Sequence, residues 1–271
     1  MFSLGKPPTC EKCRSNITLS QYTLRTRLCG KCIEKIKREK EKFQKLLGLD
    51  NLVINIIPIY DAHSTSSMEN GVRTIEYCYN HPEYELIHEL GHFLLSEKTK
   101  YEKFVSPPPS KCNEEIFFYS NAILDDFADS NWVEIDNLYT YYMKYVKVIL
   151  SGMKNIPTQA TLRSILEGFL KFYISFNYII RKDDKKKLQV ELTNALEILK
   201  KYCINQSILI YKKTRLNTKI FKSIEAELSK FETVKDTSDN KIITKFMYNV
   251  LRLIPFLSEN ILKNEIKLIY P

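Results

Sequence analysis

No apolar run in this chain reaches the roughly 18 residues that a membrane-spanning helix needs. The nearest candidate, Phe169 to Ile180, is interrupted by Lys171 and Asn177, so a spanning helix is not expected. The first residues (MFSLGKPPTCEKC) lack the basic-then-apolar order of a secretion signal, and the expectation is a soluble, cytoplasmic protein. A long block of one charge is missing too. The net charge is +9, from 41 Lys and Arg against 32 Asp and Glu, which favours an anionic partner such as nucleic acid. Yet the basic residues are spread along the chain, and the densest cluster, Arg181 to Lys187, is diluted by Asp183 and Asp184. Charge alone therefore assigns no partner. Disorder is excluded as well, because 44% of the residues are hydrophobic, and the 271 residues suffice for one to three modules despite only 7 glycines.

The 7 cysteines carry more information. Four of them form two Cys-x-x-Cys pairs, Cys10 with Cys13 and Cys29 with Cys32. Two such knuckles can present four thiolates to one metal in a closed tetrahedral site, so residues 1–36 are expected to be a zinc ribbon. The stretch Ile17 to Leu28 is β-prone and suits a small hairpin. A module of this size has too little core to fold alone, so the metal must supply folding energy. Ribbons bind nucleic acid, bind proteins or brace a neighbour, and the spacing does not choose among these. Cys78, Cys112 and Cys203 are scattered and make the total odd, which suits a reducing compartment.

Beyond the ribbon, apolar periodicity organises the chain. Ile33, Ile36, Phe43, Leu46 and Leu47 mark a helix that Gly48 can stop. Leu52 to Tyr60 reads as a strand with Pro58 at its end or on a sheet edge, and Asp61 to Gly71 reads as polar and turn-rich. Val72 to Tyr79 alternates like a second strand. Pro82 suits the start of a helix to about Glu97, and another is expected from Asn113 to Val133 after the prolines at 107–109. From Leu138 onward only helical stripes appear, the clearest being Leu162, Ile165, Leu166, Phe169, Leu170 and Tyr173. The aromatics Tyr173, Phe176 and Tyr178 are read as core. The expectation is an α+β protein of three parts: the ribbon over 1–36, a core with a small sheet over 37–136, and an all-α region over 137–271.

Histidine is rare, with 4 in all, and two of them stand in His88-Glu89-Leu90-Gly91-His92. On a helix, residues four apart lie one turn above each other, roughly 5–6 Å between Cβ atoms, so both imidazoles can reach one Zn²⁺. Glu89 is rotated off that row and reaches the water at the metal rather than the metal itself. The flanks, Leu86 and Ile87 before and Phe93 to Leu95 after, are apolar, and buried imidazoles beside a carboxylate require a partner. A catalytic zinc needs a third protein ligand. The best supply is Asp125 in Asp125-Asp126-Phe127-Ala128-Asp129, with Asp126, Glu114 and Glu115 as alternatives. Asp125 and Asp129 share a helical face, so Asp129 can accept the outer N–H of a ligand histidine.

The order of helix, two strands, His-Glu-x-x-His helix and acidic second helix resembles the zincin metallopeptidases, in particular the gluzincin branch. There the third ligand is an acid on a following helix, in patterns such as Glu-x-x-Ala-Asp; Asp125 to Asp129 is similar, with aspartate where glutamate is usual. The HELGH form also resembles the ImmA/IrrE-like and SprT-like intracellular proteases. No histidine follows His92, so the metzincin extension is absent. The resemblance covers about residues 37–136 and implies a zinc endopeptidase. His88, His92 and Asp125 would hold the catalytic zinc, distinct from the structural zinc of the ribbon, and Glu89 would act as general base and then acid. It further implies an edge strand, Val72 to Tyr79, pairing with a peptide or protein substrate, and a second oxyanion donor among Tyr119, Tyr139, Tyr142, His63 and His81. The competing expectation is a regulatory or nucleic-acid-binding protein on a non-proteolytic scaffold of the same kind.

Overall fold

The computed structural model describes residues 9–15, 17, 26–60, 63–105, 114–153, 160–182, 188–213 and 215–269. The expected ribbon hairpin, the prolines at 107–109 and most of the basic cluster at 181–187 lie largely outside these. The chain is α+β and mostly helical, with one three-stranded sheet among the described residues. It divides into two compact units, Met1–Leu94 and Leu95–Pro271.

In the first unit, helix α1 (Gly30–Leu46) buries Cys32, Ile36 and Phe43 on one face. Gly48 ends it with φ of +68°, the left-handed conformation that glycine adopts without a Cβ penalty. The buried Gln44 then fixes the exit of the chain. Its Nε2 donates to the carbonyls of Leu49 and Leu52, at 2.6 Å each, satisfying two acceptors of the turn that leads to strand β1 (Ile54–Ile59).

Strand β2 (Thr65–Glu69) and strand β3 (Val72–Cys78) complete a sheet of order β1-β3-β2. β1 runs parallel to β3 with Ile56 opposite Ile75, and β2 runs antiparallel with Ser66 opposite Ile75. Two sequence expectations need correction here. The stretch from Asp61 to Gly71 is not all turn: it contains β2, whose Thr, Ser and Ser have weak patterning and become a strand by pairing with β3. The joining residues Asn70 and Gly71 both have positive φ, 51° and 78°, as a two-residue hairpin turn requires. Because β2 occupies one side of β3 and β1 the other, Val72 to Cys78 is the central strand and not an edge. The edges are β2 and β1, and β1 carries Pro58, which has no N–H to offer.

Helix α2 (Glu83–Thr99) begins just after Pro82, with Glu83 and Glu85 in its first turn and Lys98 in its last, charges that match the helix dipole. Leu86, Ile87, Leu90 and Phe93 are fully buried, and so nearly are Tyr84, His88, Glu89 and His92. A helix buried on nearly every side shows little amphipathic patterning. The boundary between the two units falls within it.

The second unit is helical: α3 (Glu114–Ser130), α4 (Asp136–Met153), α5 (Leu162–Lys182), α6 (Gln189–Ile210), α7 (Thr218–Leu228), α8 (Phe231–Val234), α9 (Asn240–Leu251) and α10 (Glu259–Ile269). Its core centres on α3 and α5, which pack on each other. Phe127 of α3 meets Phe231 at 4.7 Å and Phe246 at 5.7 Å between ring centroids, and Phe169 of α5 meets Phe221 at 4.9 Å. Phe176 is fully buried and Tyr173 packs on this core, as the reading of those two aromatics as core expects, whereas Tyr178 is half-buried and lies outside it. Helix α10 has no counterpart in the sequence reading, because only Leu262 and Ile266 among its described side chains are buried and polar residues surround them.

Candidate metal centres

Two groups of side chains among the described residues bring their ligand atoms within 4.8 Å of one another: Cys10, Cys13, Cys29 and Cys32, and His88, His92 and Asp125.

The first group is built from two turns. Arg14 donates its N–H to the carbonyl of Cys10 (2.8 Å), and Cys10 donates to that of Ser15 (2.9 Å), with Arg14 at φ of 61° closing the knuckle. The second knuckle is the start of α1: Cys29 caps the helix and Cys32 lies in its first turn, its N–H donating to the Cys29 carbonyl at 3.0 Å. Cys13 and Cys29 sulfurs are 3.7 Å apart. A tetrahedral centre with arms of about 2.3 Å would place its sulfurs about 3.8 Å apart, so the spacing fits. The electrostatics fit as well. The side-chain hydrogen bond with Ser15, 2.9 Å from the sulfur, is the main influence that lowers the exposed Cys13 thiol to about 6. Burial pushes Cys29 up, but hydrogen bonds from the Cys32 backbone and Ser15 outweigh it and leave that thiol lowered. Cys32 is pushed up, by burial first and by its cysteine neighbours next. Four sulfurs gathered this closely repel one another when ionised, a charge that a soft cation would offset.

In the second group, α2 supplies two ligands from consecutive turns. The Nε2 atoms of His88 and His92 are 3.3 Å apart, with the rings at 86° to each other. Zinc–nitrogen arms of about 2.0–2.1 Å in a tetrahedron separate two nitrogens by about 3.3–3.4 Å, so the pair has the edge length of such a centre. Tyr84, one turn before His88, stacks on its ring with centroids 5.7 Å apart and the planes within 23°, which holds the imidazole in place. Glu89, next to His88 in sequence, is buried and belongs to neither ligand group.

Asp125 of α3 is the acid whose oxygen joins the two histidine nitrogens. It also accepts from Lys171 Nζ of α5 at 2.6 Å. The neighbouring acids are engaged differently. Asp126 is buried and accepts from Ser175 Oγ at 2.7 Å, and burial pushes its carboxyl well above the usual carboxylate range. Asp129 accepts from the indole Nε1 of Trp132 at 3.1 Å. Glu114 is exposed and pairs with Arg163 at 3.0 Å, while Glu115 is half-buried near the start of α3.

The other residues singled out by sequence belong to neither ligand group. Tyr119 is fully buried in the second unit, with no hydrogen-bond partner for its hydroxyl among the described residues, and Tyr142 is buried against Trp132 at 5.7 Å. Tyr139 is half-buried on α4. His63 is exposed, and His81 binds Glu85 through Nδ1 at 2.7 Å. Sequence reasoning missed Tyr84, legible in principle as an aromatic one turn before His88. It also missed Lys171, whose only signal is a cation interrupting an apolar stripe.

No family model matches the chain, and no curated protein or solved structure matches it. No helix among the described residues is long and apolar enough to cross a membrane.

Proposed function

We propose that this protein is a zinc-dependent endopeptidase of zincin type, with the four-cysteine module as a structural zinc ribbon that targets or braces it. The observation that carries the reading is the His88–His92 pair, buried on one helix with its Nε2 atoms 3.3 Å apart, next in sequence to the buried Glu89 and grouped with an oxygen of Asp125 within 4.8 Å. A purely structural site has no use for Glu89. Zinc held by His88, His92 and Asp125 would supply a Lewis acid that polarises the scissile carbonyl and makes a water more acidic. Glu89 takes the proton from the attacking water and delivers it to the leaving amine, so one carboxylate serves as base and then as acid. Because Glu89 is buried, that proton passes between groups shielded from bulk solvent. In the same unit the free edge of β2, rather than β3, offers backbone groups to an extended peptide. The odd cysteine total supports a reducing compartment for the activity.

The test compares wild type with Glu89→Gln on an unfolded protein substrate, with metal counted in both. Glutamine keeps the shape of the side chain but cannot take a proton. Both proteins should hold two zinc ions per chain, one for each ligand set. Hydrolysis should fall by about 10²–10⁴ in the variant. Equal cleavage by both would remove Glu89 from the mechanism. A wild type that binds metal at both sites and cleaves nothing would replace the peptidase with a regulatory scaffold.

A further inference from the structure

We infer that Lys171 is the positioning residue of the third metal ligand, holding one oxygen of Asp125 so that the carboxylate presents the other to the cation. The inference rests on the reading of His88, His92 and Asp125 as a metal centre. Helix α5 packs on α3, and its apolar stripe of Phe169, Leu170 and Ile174 is broken by this one lysine. Lys171 Nζ lies 2.6 Å from Asp125 Oδ2, and each of the two side chains is only 21% exposed.

A lysine this far out of water is costly to desolvate, and the groups that offset the cost are Asp125, which it bonds, and then Tyr145, Asp129 and Glu167 near it. The bond it makes supplies what a single aspartate lacks. Asp125 is one methylene shorter than glutamate, so its carboxylate has little freedom to search for the metal and must be aimed correctly from the start. A charge-assisted hydrogen bond on one oxygen sets the plane of the group and the direction of the other oxygen. Asp126 cannot share this role: its bond is to Ser175, on the next turn of α5.

The experiment measures Zn²⁺ affinity by chelator competition on the full chain, for wild type, Lys171→Met, Lys171→Arg, Asp125→Ala and the double variant Asp125→Ala/Lys171→Met. Cobalt substitution separates the sites, because thiolate centres give intense charge-transfer bands and nitrogen–oxygen centres only weak visible ones. Lys171→Met should weaken the histidine site by about 10–100-fold and shift its cobalt bands, leaving the thiolate bands of the four-cysteine site unchanged. Lys171→Arg should recover most of the affinity by restoring the charged hydrogen bond. In the Asp125→Ala background, Lys171→Met should change affinity by less than about twofold, since its partner is already gone. Unchanged affinity in Lys171→Met, or an equal loss with and without Asp125, would overturn the positioning role and leave a residue that only packs. If Asp125→Ala itself binds zinc as wild type does, the metal reading of Asp125 fails and this inference falls with it. If Asp125→Ala weakens binding and Lys171→Met does not, this inference alone fails.

Discussion

Replacing Phe127 with alanine should remove a large part of the stability of the helical unit, and the structure says how much. The ring is completely buried on α3, with centroids 4.7 Å from Phe231 and 5.7 Å from Phe246. Truncating a buried phenylalanine to alanine typically costs about 3–5 kcal/mol, because transfer free energy is lost and a cavity remains. Of this, each of the two aromatic pairs accounts for about 0.5–1.5 kcal/mol beyond the area that it buries. The upper half of the range is expected here, since the pocket is lined by other rings whose shapes limit collapse. The chain has a single tryptophan, Trp132, which is fully buried in the same unit and packs on Tyr142. Its fluorescence therefore follows this unit during urea unfolding without contribution from the other. A loss of about 4 kcal/mol would move the urea midpoint by about 2 M if the slope is near 2 kcal/mol per molar. In a double-mutant cycle with Phe231→Ala, the coupling should come out at about 0.5–1.5 kcal/mol. A loss below about 1 kcal/mol, the level of an ordinary surface change, would refute the placement of Phe127 at the centre of this core.

The remaining predictions concern the metals. Cys29→Ser should lose one zinc per chain and unfold the segment around Cys10 to Cys32 while the histidine site keeps its metal, checked by metal analysis and cobalt spectra; loss of both metals would show that the two sites are not independent. Asp125→Ala should weaken zinc at the histidine site far more than Asp126→Ala does, since Asp126 is committed to Ser175; chelator competition giving equal effects would contradict this assignment.

How much of this was legible in the sequence depends on how local each feature is. The two Cys-x-x-Cys pairs and the His88–His92 pair need only a turn or a helix to bring their atoms together, and those are local geometries that spacing alone encodes. The helices from α3 to α7, and α9, were legible for the same reason, since each carries an apolar stripe at three- and four-residue intervals. Strand β2 was not, because Thr65, Ser66 and Ser67 have no pattern of their own and acquire strand structure from hydrogen bonds to β3. The Asn70-Gly71 pair was a usable signal for that hairpin, and reading it as one would have shown β3 to be flanked on both sides.

The third ligand marks the point where spacing stops being sufficient. Helical phase separates Asp125 from Asp126 by about 100°, so it establishes that the two cannot face the same way, but not which of them faces the histidines. What packs on α3 does separate the two acids. Helix α5 places Ser175 against Asp126 and Lys171 against Asp125, one turn apart, and so gives each acid a different environment. Asp126 is buried and receives a neutral hydroxyl from Ser175, and that burial disfavours its charge. Asp125 instead receives the cation of Lys171 at 2.6 Å, a charge-assisted bond to one of its oxygens. Adjacent identical residues thus become one structural acid and one candidate ligand through contacts 46 and 49 residues away in the chain.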